Sequence, residues 1–332
     1  MPKATIKQVA AEADVSTATV SRVLNDSGYV SDEIRARVMT AVERLNYQPS
    51  AIARSLKQDK TYMIGVIVPD ISNSYFAGIS RGIEDVVGRD GFQLMFCSSD
   101  ENPDKEARLL RLLQEKRVDA IVLATAGGNE QTVSALAESG LPVVLIDRKL
   151  SGEANLDLVA EDNEDGAKRL MSRLLEDGHR VIGVVNGPAR VSTGRERYEG
   201  VIAAMREREI EREPIVYNGD FSTEDGIRAV RTFLEADPKP TAIVSLNNRM
   251  SLGVLLEIVR QGLRIPDDIA VASFGEVEAG SLLKAPKLYY IDQHPYDMGQ
   301  RAGEILLRRL GKDGEGQAPI QEIFRNEINT IE

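Results

Sequence analysis

From Tyr62 to about residue 274 the chain alternates short β-branched apolar runs with amphipathic stretches, and few folds accept that grammar. The runs are M-I-G-V-I-V (63–68), F-Q-L-M-F-C (92–97), A-I-V-L-A (120–124), P-V-V-L-I (142–146), V-I-G-V-V (181–185), T-A-I-V-S-L (241–246) and I-A-V-A-S-F (269–274). Continuous rather than alternating hydrophobicity marks strands buried on both faces. The segments between them, such as Glu106 to Gln114 and Asp165 to Leu175, have a period near 3.6. Parallel sheets covered by helices on both sides satisfy both patterns. Some 270 residues exceed what a single core usually holds, so two α/β lobes are expected. Ligands of such sheets sit beyond the carboxyl ends of the strands, which directs attention to the cleft between the lobes.

The first sixty residues follow a different, all-helical pattern. Ile6, Val9, Ala10 and Ala13 recur at i, i+3, i+4 and i+7, one face of a short helix. Asp14-Val15 supplies a tight turn, and Ser16 can cap a second helix by accepting a backbone N–H. Val20 and Leu24 are expected to face inward, leaving Thr17, Ala18, Ser21 and Arg22 outward. This is helix-turn-helix spacing, with the outward set placed for a major groove. Asn25-Asp26-Ser27-Gly28 makes a turn, and Ser31 caps a third helix carrying Ile34, Val38, Ala41, Val42 and Leu45. Asn46 to Pro49 ends it, because the residue before proline avoids the helical region. Ser50 to Leu56 has helical character but is too short to hold a helix alone. It is expected to fold when bound, ahead of the polar linker Lys57–Thr61.

Charge divides along the same line. The whole chain carries −11, whereas residues 1–60 hold nine Lys/Arg against seven acids and the remainder is correspondingly acidic. A mildly basic head on an acidic body suits a module that touches phosphates while its body is held off DNA, and two such heads are needed for useful affinity. The single Cys97 makes no internal disulfide, and His179 and His294 are too few and too scattered for a metal site. No catalytic residue, metal or cofactor is assigned. No apolar run approaches the ~20 residues of a membrane span, and nothing resembles a secretion signal, so a cytoplasmic, nucleoid-associated protein is expected.

The stretches T-I-K-Q-V-A-A-E-A-D-V-S-T-A-T-V-S-R-V-L-N, A-V-E-R-L-N-Y-Q-P-S-A-I-A-R-S-L, I-G-V-I-V-P-D-I-S-N-S-Y-F-A-G-I-S-R-G-I-E and R-V-D-A-I-V-L together resemble the LacI/GalR family of bacterial transcription regulators, along essentially the whole chain. The resemblance implies an allosteric repressor of a carbohydrate or catabolic operon. Its parts are a helix-turn-helix headpiece (1–49), a hinge helix and linker (50–60), and a periplasmic-binding-protein-like core of two Rossmann-like lobes (61–332). Lobe 1 spans about 61–160 and 292–320, and lobe 2 about 161–290 and 321–332, with crossovers near 160, 290 and 320. Such a protein binds a near-palindromic operator as a homodimer, or as a dimer of dimers. Thr17, Ala18 and Arg22 match base-reading positions, and Leu56 matches a leucine wedged into the central minor groove. Thr5, Ser16, Thr19, Ser21, Asn25, Ser31, Tyr47, Ser50, Ala53 and Arg54 complete the expected DNA-binding set.

By similarity the effector positions are Asn73, Tyr75, Phe76, Asp147, Thr193, Arg197, Phe221, Asn247 and Gln293. A few polar groups among aromatic faces fit a sugar, a sugar phosphate or a related metabolite. Two departures from the family pattern bear on this set. Asn247-Asn248 stands where many members have N-D, and Ser273-Phe274-Gly275-Glu276 where many have G-[FY]-D-D. Gly275 thus lacks a carboxylate that often holds ligand hydroxyls. Either Glu276 replaces it from one residue further on, or the ligand is larger, or it is phosphorylated and pairs with Arg148 and Arg197. A protein corepressor is a further partner class for such chains.

Two other function classes compete. A solute-binding receptor fused to an accessory module would need an export signal. An enzyme on a doubly wound sheet would be expected to carry G-x-S-x-G, a Walker A loop or G-x-G-x-x-G, none of which occurs.

Overall fold

The computed structural model describes residues 4–48, 60–152, 155–282, 287–311 and 316–331. It divides into two compact units, Met1–Tyr62 and Met63–Glu332.

The first unit contains α1 (Ile6–Glu12), α2 (Thr17–Leu24) and α3 (Asp32–Arg44). Each starts on a hydroxyl cap: Thr5 in a reciprocal box with Gln8, Ser16 on the Thr19 N–H, and Ser31 on the Ile34 N–H. Asp14 adopts φ 52, closing the turn between α1 and α2. Arg37 Nη2 on α3 donates to the carbonyls of Ala13 and Asp14 at 2.5 and 3.2 Å, satisfying acceptors that the end of α1 leaves open. Val9, Ala10, Ala13, Val20, Val23, Val38 and Ala41 form the buried centre. Val23 rather than Leu24 is the second inward residue of α2, with Leu24 half-buried at the edge. A three-residue step from Val20 points more directly at α1 and α3 than a four-residue one.

The second unit begins with β1 (Met63–Val68), α4 (Ser74–Val87), β2 (Gln93–Ser98), α5 (Pro103–Glu115), β3 (Ala120–Leu123), α6 (Glu130–Glu138) and β4 (Val143–Ile146). It continues through β5 (Asp157–Glu161), α7 (Asn163–Glu176), β6 (Ile182–Asn186), α8 (Ser192–Glu207), β7 (Ile215–Asn218), α9 (Thr223–Glu235) and β8 (Ala242–Ser245). Last come α10 (Asn248–Arg260), β9 (Ala270–Phe274), β10 (Leu288–Asp292), α11 (Pro295–Leu310), β11 (Gln321–Phe324) and β12 (Glu327–Ile331).

These strands build two six-stranded sheets, ordered β11-β5-β4-β3-β1-β2 and β12-β10-β9-β8-β6-β7. All pairs are parallel except β12 against β10. The central strands are buried on both faces, as in Ile64, Val66 and Ile67 of β1. Each fully buried residue of this kind stabilises the fold by roughly 1.5–3 kcal/mol. Helices α4 and α11 pack closely because Gly82 and Gly299 carry no Cβ. One would run into the Tyr296 carbonyl and the other into the Ile79 carbonyl.

The chain passes between lobes three times, at Asp162, at Gln293–His294 and at Arg325–Asn326. The third passage lies later than the expected position near 320. Gln321–Phe324 pairs in parallel with Leu158–Glu161 and so extends the first lobe's sheet before the chain leaves it. In each lobe the strand order turns at the first strand, β1 and β6, and the loops that follow these strands face one cleft.

Candidate functional site

The headpiece presents α2 as its polar ridge. Thr17, Ala18 and Arg22 are exposed, Thr19 and Ser21 half-buried. Ser16 Oγ and Thr19 Oγ1 lie 2.9 Å apart, and Asn25 Nδ2 donates to the Ser21 carbonyl at 2.8 Å. Three other arginines are tied down, Arg35 to Asp26, Arg37 to Asp14 and Arg44 to Glu12. Among the described residues Arg22 has no ion pair, so its fork of donors faces outward uncommitted. Thr5 is exposed, and Ser31 is half-buried in its cap. Tyr47 is half-buried, packed against the headpiece core. Tyr29, which no periodicity singles out, is 94% exposed in the loop before α3. Ser50, Ala53, Arg54 and Leu56 lie outside the described residues.

The interlobe cleft has a volume of about 600 Å³. The first lobe contributes Asn73, Tyr75 and Phe76 from the start of α4, Glu101 after β2, and Asp147 and Arg148 after β4. From the second come Arg190, Thr193 and Arg197 around the start of α8, Phe221 before α9, and Asn247, Asn248 and Arg249 at the start of α10. Gln293 enters from the second crossover. Asp147 and Phe221 both hold positive φ, 65 and 62, a strain that non-glycine residues keep where the surroundings demand it. Tyr75 and Phe76 meet edge to face at 5.2 Å.

Several residues close the cleft from both sides. Asn73 Nδ2 donates to Asn248 Oδ1 at 3.2 Å, and Asn248 Nδ2 returns a bond to Asn73 Oδ1 at 2.9 Å. The Lys149 N–H donates to Ser192 Oγ, and Lys149 Nζ pairs with Glu196 at 2.8 Å. Arg190 reaches the Glu101 carbonyl at 3.0 Å.

The floor is a buried charge cluster. Arg148 makes a two-pronged pair with Glu101 at 2.6 and 2.8 Å and donates to the Thr125 carbonyl. That loop is held by buried Glu106, which accepts from Thr125 Oγ1, the Ala126 N–H and Asn129 Nδ2. Burial opposes the charge on Arg148, yet Glu101, with Asp147 and Glu106 behind it, holds the guanidinium above its ordinary range. Arg197 lies over the Phe274 ring at 3.8 Å and donates to Asn163 Oδ1 and the Leu246 carbonyl. Burial lowers its pKa, with Asp147 and Glu161 working the other way. Asp147 accepts from the Tyr75 hydroxyl at 3.0 Å, and burial raises its pKa against the pull of Arg197 and Arg148. Burial also lifts the Tyr75 hydroxyl well above its usual value. Behind them Glu161, at the end of β5, is pushed up to about 7, chiefly by burial. Thr193 Oγ1 is buried without a hydrogen-bond partner.

Of the expected effector residues, all but one come together here. Glu276 does not. Gly275 turns the chain at φ 99, and the exposed Glu276 borders an adjoining hollow of about 210 Å³, which shares Tyr75, Asn248 and Gln293 with the cleft. Two residues also have a local structural role. Asn73 and Asn247 cap α4 and α10 through their own side-chain oxygens. Sequence reasoning missed Glu101, Arg190 and Glu161 as members of the site. It noted Asn248 only as a departure from pattern.

Residues 5–50 match the family described as bacterial regulatory proteins, lacI family, and residues 61–327 match the periplasmic binding proteins and sugar binding domain of the LacI family. The chain belongs to the LacI family. A ribose operon repressor of Halalkalibacterium halodurans is 36% identical over 308 residues, covering 93% of this chain and 91% of that protein. The transcriptional repressor PurR of Haemophilus influenzae is 35% identical over 327 residues, covering 98% and 96%. Among solved structures, the regulator CelR in complex with cellobiose aligns over 98% of both chains with a TM-score of 0.73 and 27% identity. As a LacI-family member the chain is a DNA-binding transcriptional regulator with an allosteric binding core, not an enzyme. No helix among the described residues is long and apolar enough to cross a membrane.

Proposed function

We propose that the protein represses an operon for the uptake or breakdown of a neutral polyhydroxylated metabolite, a sugar or nucleoside-like molecule, which binds in the interlobe cleft. The observation that carries this reading is the commitment of the cleft's cations. Arg148 is neutralised by Glu101, Arg190 faces Asp220 at 3.2 Å, and Arg249 faces Asp70 at 3.7 Å. Arg197 is held by neutral acceptors and a ring, beside Asp147. A phosphate would have to break the two-pronged Arg148–Glu101 pair to gain its charge partner, leaving the half-buried Glu101 carboxylate unpaired beside the incoming anion. A neutral polyol instead meets Asn73, Thr193, Asn247 and Gln293 as donors and acceptors, with Phe76 and Phe221 covering its apolar faces. The ribose repressor and the cellobiose-bound CelR among its relatives support a sugar.

On DNA the protein acts as a homodimer. Each headpiece carries a single uncommitted arginine on α2, so two heads on a near-palindromic site supply the affinity that one lacks. Thr17, Ala18 and Arg22 read bases in this arrangement. Effector binding shifts the lobes and with them the spacing of the two heads, a coupling of about 1–3 kcal/mol. A mobility-shift assay on a near-palindromic site selected by the protein from a randomised DNA library, with and without a panel of neutral sugars, tests the reading. Binding that no sugar alters but a sugar phosphate does would refute the neutral effector, and full binding by residues 61–332 alone would refute the headpiece as reader.

A further inference from the structure

The hollow beside Gly275 is filled by another residue. A Cβ at that position would stand 2.5 Å from Gln293 Oε1 and 3.1 Å from Asn248 Cβ, so the Gln293 amide occupies the space a side chain would need. Its orientation is set from the far end, where Gln293 Nε2 donates to Glu161 Oε2 at 2.5 Å. Gln293 Oε1 accepts no hydrogen bond among the described residues, and Gln293 borders the cleft. Glu161 itself is 1% exposed, and its Oε1 is buried with no hydrogen-bond partner. Around it stand Asp147 after β4, Arg197 on α8, Tyr75 on α4 and the His294 backbone N–H.

We infer that Glu161 is a positioning residue of the cleft: by accepting the Gln293 amide N–H it presents Gln293 Oε1 to the effector as a fixed acceptor for a ligand hydroxyl. This rests on the cleft being the effector site. The two ends of an amide have nearly the same shape but opposite roles, and a carboxylate can only accept, so it admits only the N–H₂ end. A protonated carboxyl can donate as well, and the amide is then free to turn over. Glu161 supplies, through Gln293, the acceptor that Gly275 cannot. Because burial, with Asp147 beside it, holds the Glu161 carboxyl near 7 against Arg197, Gln293 and His294, the setting is intact above neutrality and is released as pH falls.

Two measurements on the full-length protein test this. The Gln293 side-chain amide resonance, assigned by Gln293→Ala, is followed from pH 5.5 to 8.5 in the absence of ligand. It is expected to shift with a midpoint near 7 in the unaltered protein and to stay level in Glu161→Gln. Calorimetry with D-ribose, D-glucose and cellobiose at pH 8 and pH 6 then reads affinity. Glu161→Gln is expected to bind the responding sugar roughly tenfold more weakly at pH 8 and about equally at pH 6, because glutamine can donate as well as accept. An equal loss at both pH values would mark Glu161 as merely structural, and a level amide resonance in the unaltered protein would overturn the inference outright. If none of the three sugars binds at either pH, the effector reading fails and the amide titration alone decides the role of Glu161.

Discussion

Asn73 and Asn248, 175 positions apart, exchange two hydrogen bonds across the cleft, each amide donating to the other's oxygen. Asn73 Oδ1 also accepts from the Tyr75 N–H, so the pair is rooted in the helix caps of both lobes. The net worth of each such bond is about 0.5–1.5 kcal/mol; Asn73 is buried, while Asn248 keeps some access to water. Asn248→Ala removes both bonds and leaves the α10 cap, made by Asn247, in place. The expected outcome is a tenfold shift toward an open core, read as a larger radius of gyration in small-angle scattering of the ligand-free protein. Effector affinity should fall by a similar factor. An unchanged radius would show that the lobes are held elsewhere, with Lys149–Glu196 the next contact to remove.

Stability should depend on pH through Glu161. Its folded pKa, about 7, lies above the ordinary value near 4.5. The folded state therefore holds a proton that the unfolded chain gives up between those values. The favourable contribution is fully present below about 4.5 and is lost as pH rises through 7. Two to three units correspond to a few kcal/mol. Thermal melts at pH 5.5 and 8 should show the unaltered protein losing ground to Glu161→Gln at the higher pH. Parallel curves for the two proteins would contradict a buried, raised carboxyl.

Why the lobes and the headpiece were legible is plain from β1 and α2. M-I-G-V-I-V is a short apolar run without alternation, as expected of a strand covered on both faces, and Ser16 and Ser31 announce their helices as caps. The cleft residues Asn73, Asp147, Arg197 and Gln293 were found because they match a family pattern; local chemistry alone would have left them as caps or surface groups. Glu161 had no such signal. It ends an apolar strand, and its importance comes from Gln293, 132 positions away, and from Arg197 across the cleft. For the carboxylate missing at 275, sequence offers Glu276 next door, or else a larger or a phosphorylated ligand, because sequence shows neighbours in the chain. The fold instead offers neighbours in space. Likewise Arg148 looks free for a phosphate until Glu101, on a different loop, is seen to claim it.

Restoring the family's carboxylate by Gly275→Asp should damage the protein. At φ 99 an L side chain is strained, and its Cβ would press on Gln293 Oε1 and Asn248 Cβ. A loss of about 1–3 kcal/mol in denaturant unfolding is expected. Removing the obstruction with Gln293→Ala in the same chain should recover part of that loss, because the strain at 275 remains while the collision does not. If Gly275→Asp is as stable as the unaltered protein, the close fit of Gln293 into the hollow is not what fixes glycine there.

Arg22 carries the last prediction. It is the exposed cation on α2 with no ion pair among the described residues, while Arg35, Arg37 and Arg44 are tied to acids of the headpiece. A guanidinium held free on a recognition helix suits the O6 and N7 acceptors of guanine, worth about 1–3 kcal/mol of discrimination at one base pair. Arg22→Ala should therefore relax selectivity at a single position in each half-site, measured by selection from a randomised operator library. Its affinity for unrelated DNA should change little beyond the loss of one cation per head. A uniform loss on all sequences, with the selected operator unchanged, would make Arg22 a phosphate contact and move base reading to Thr17 and Ala18.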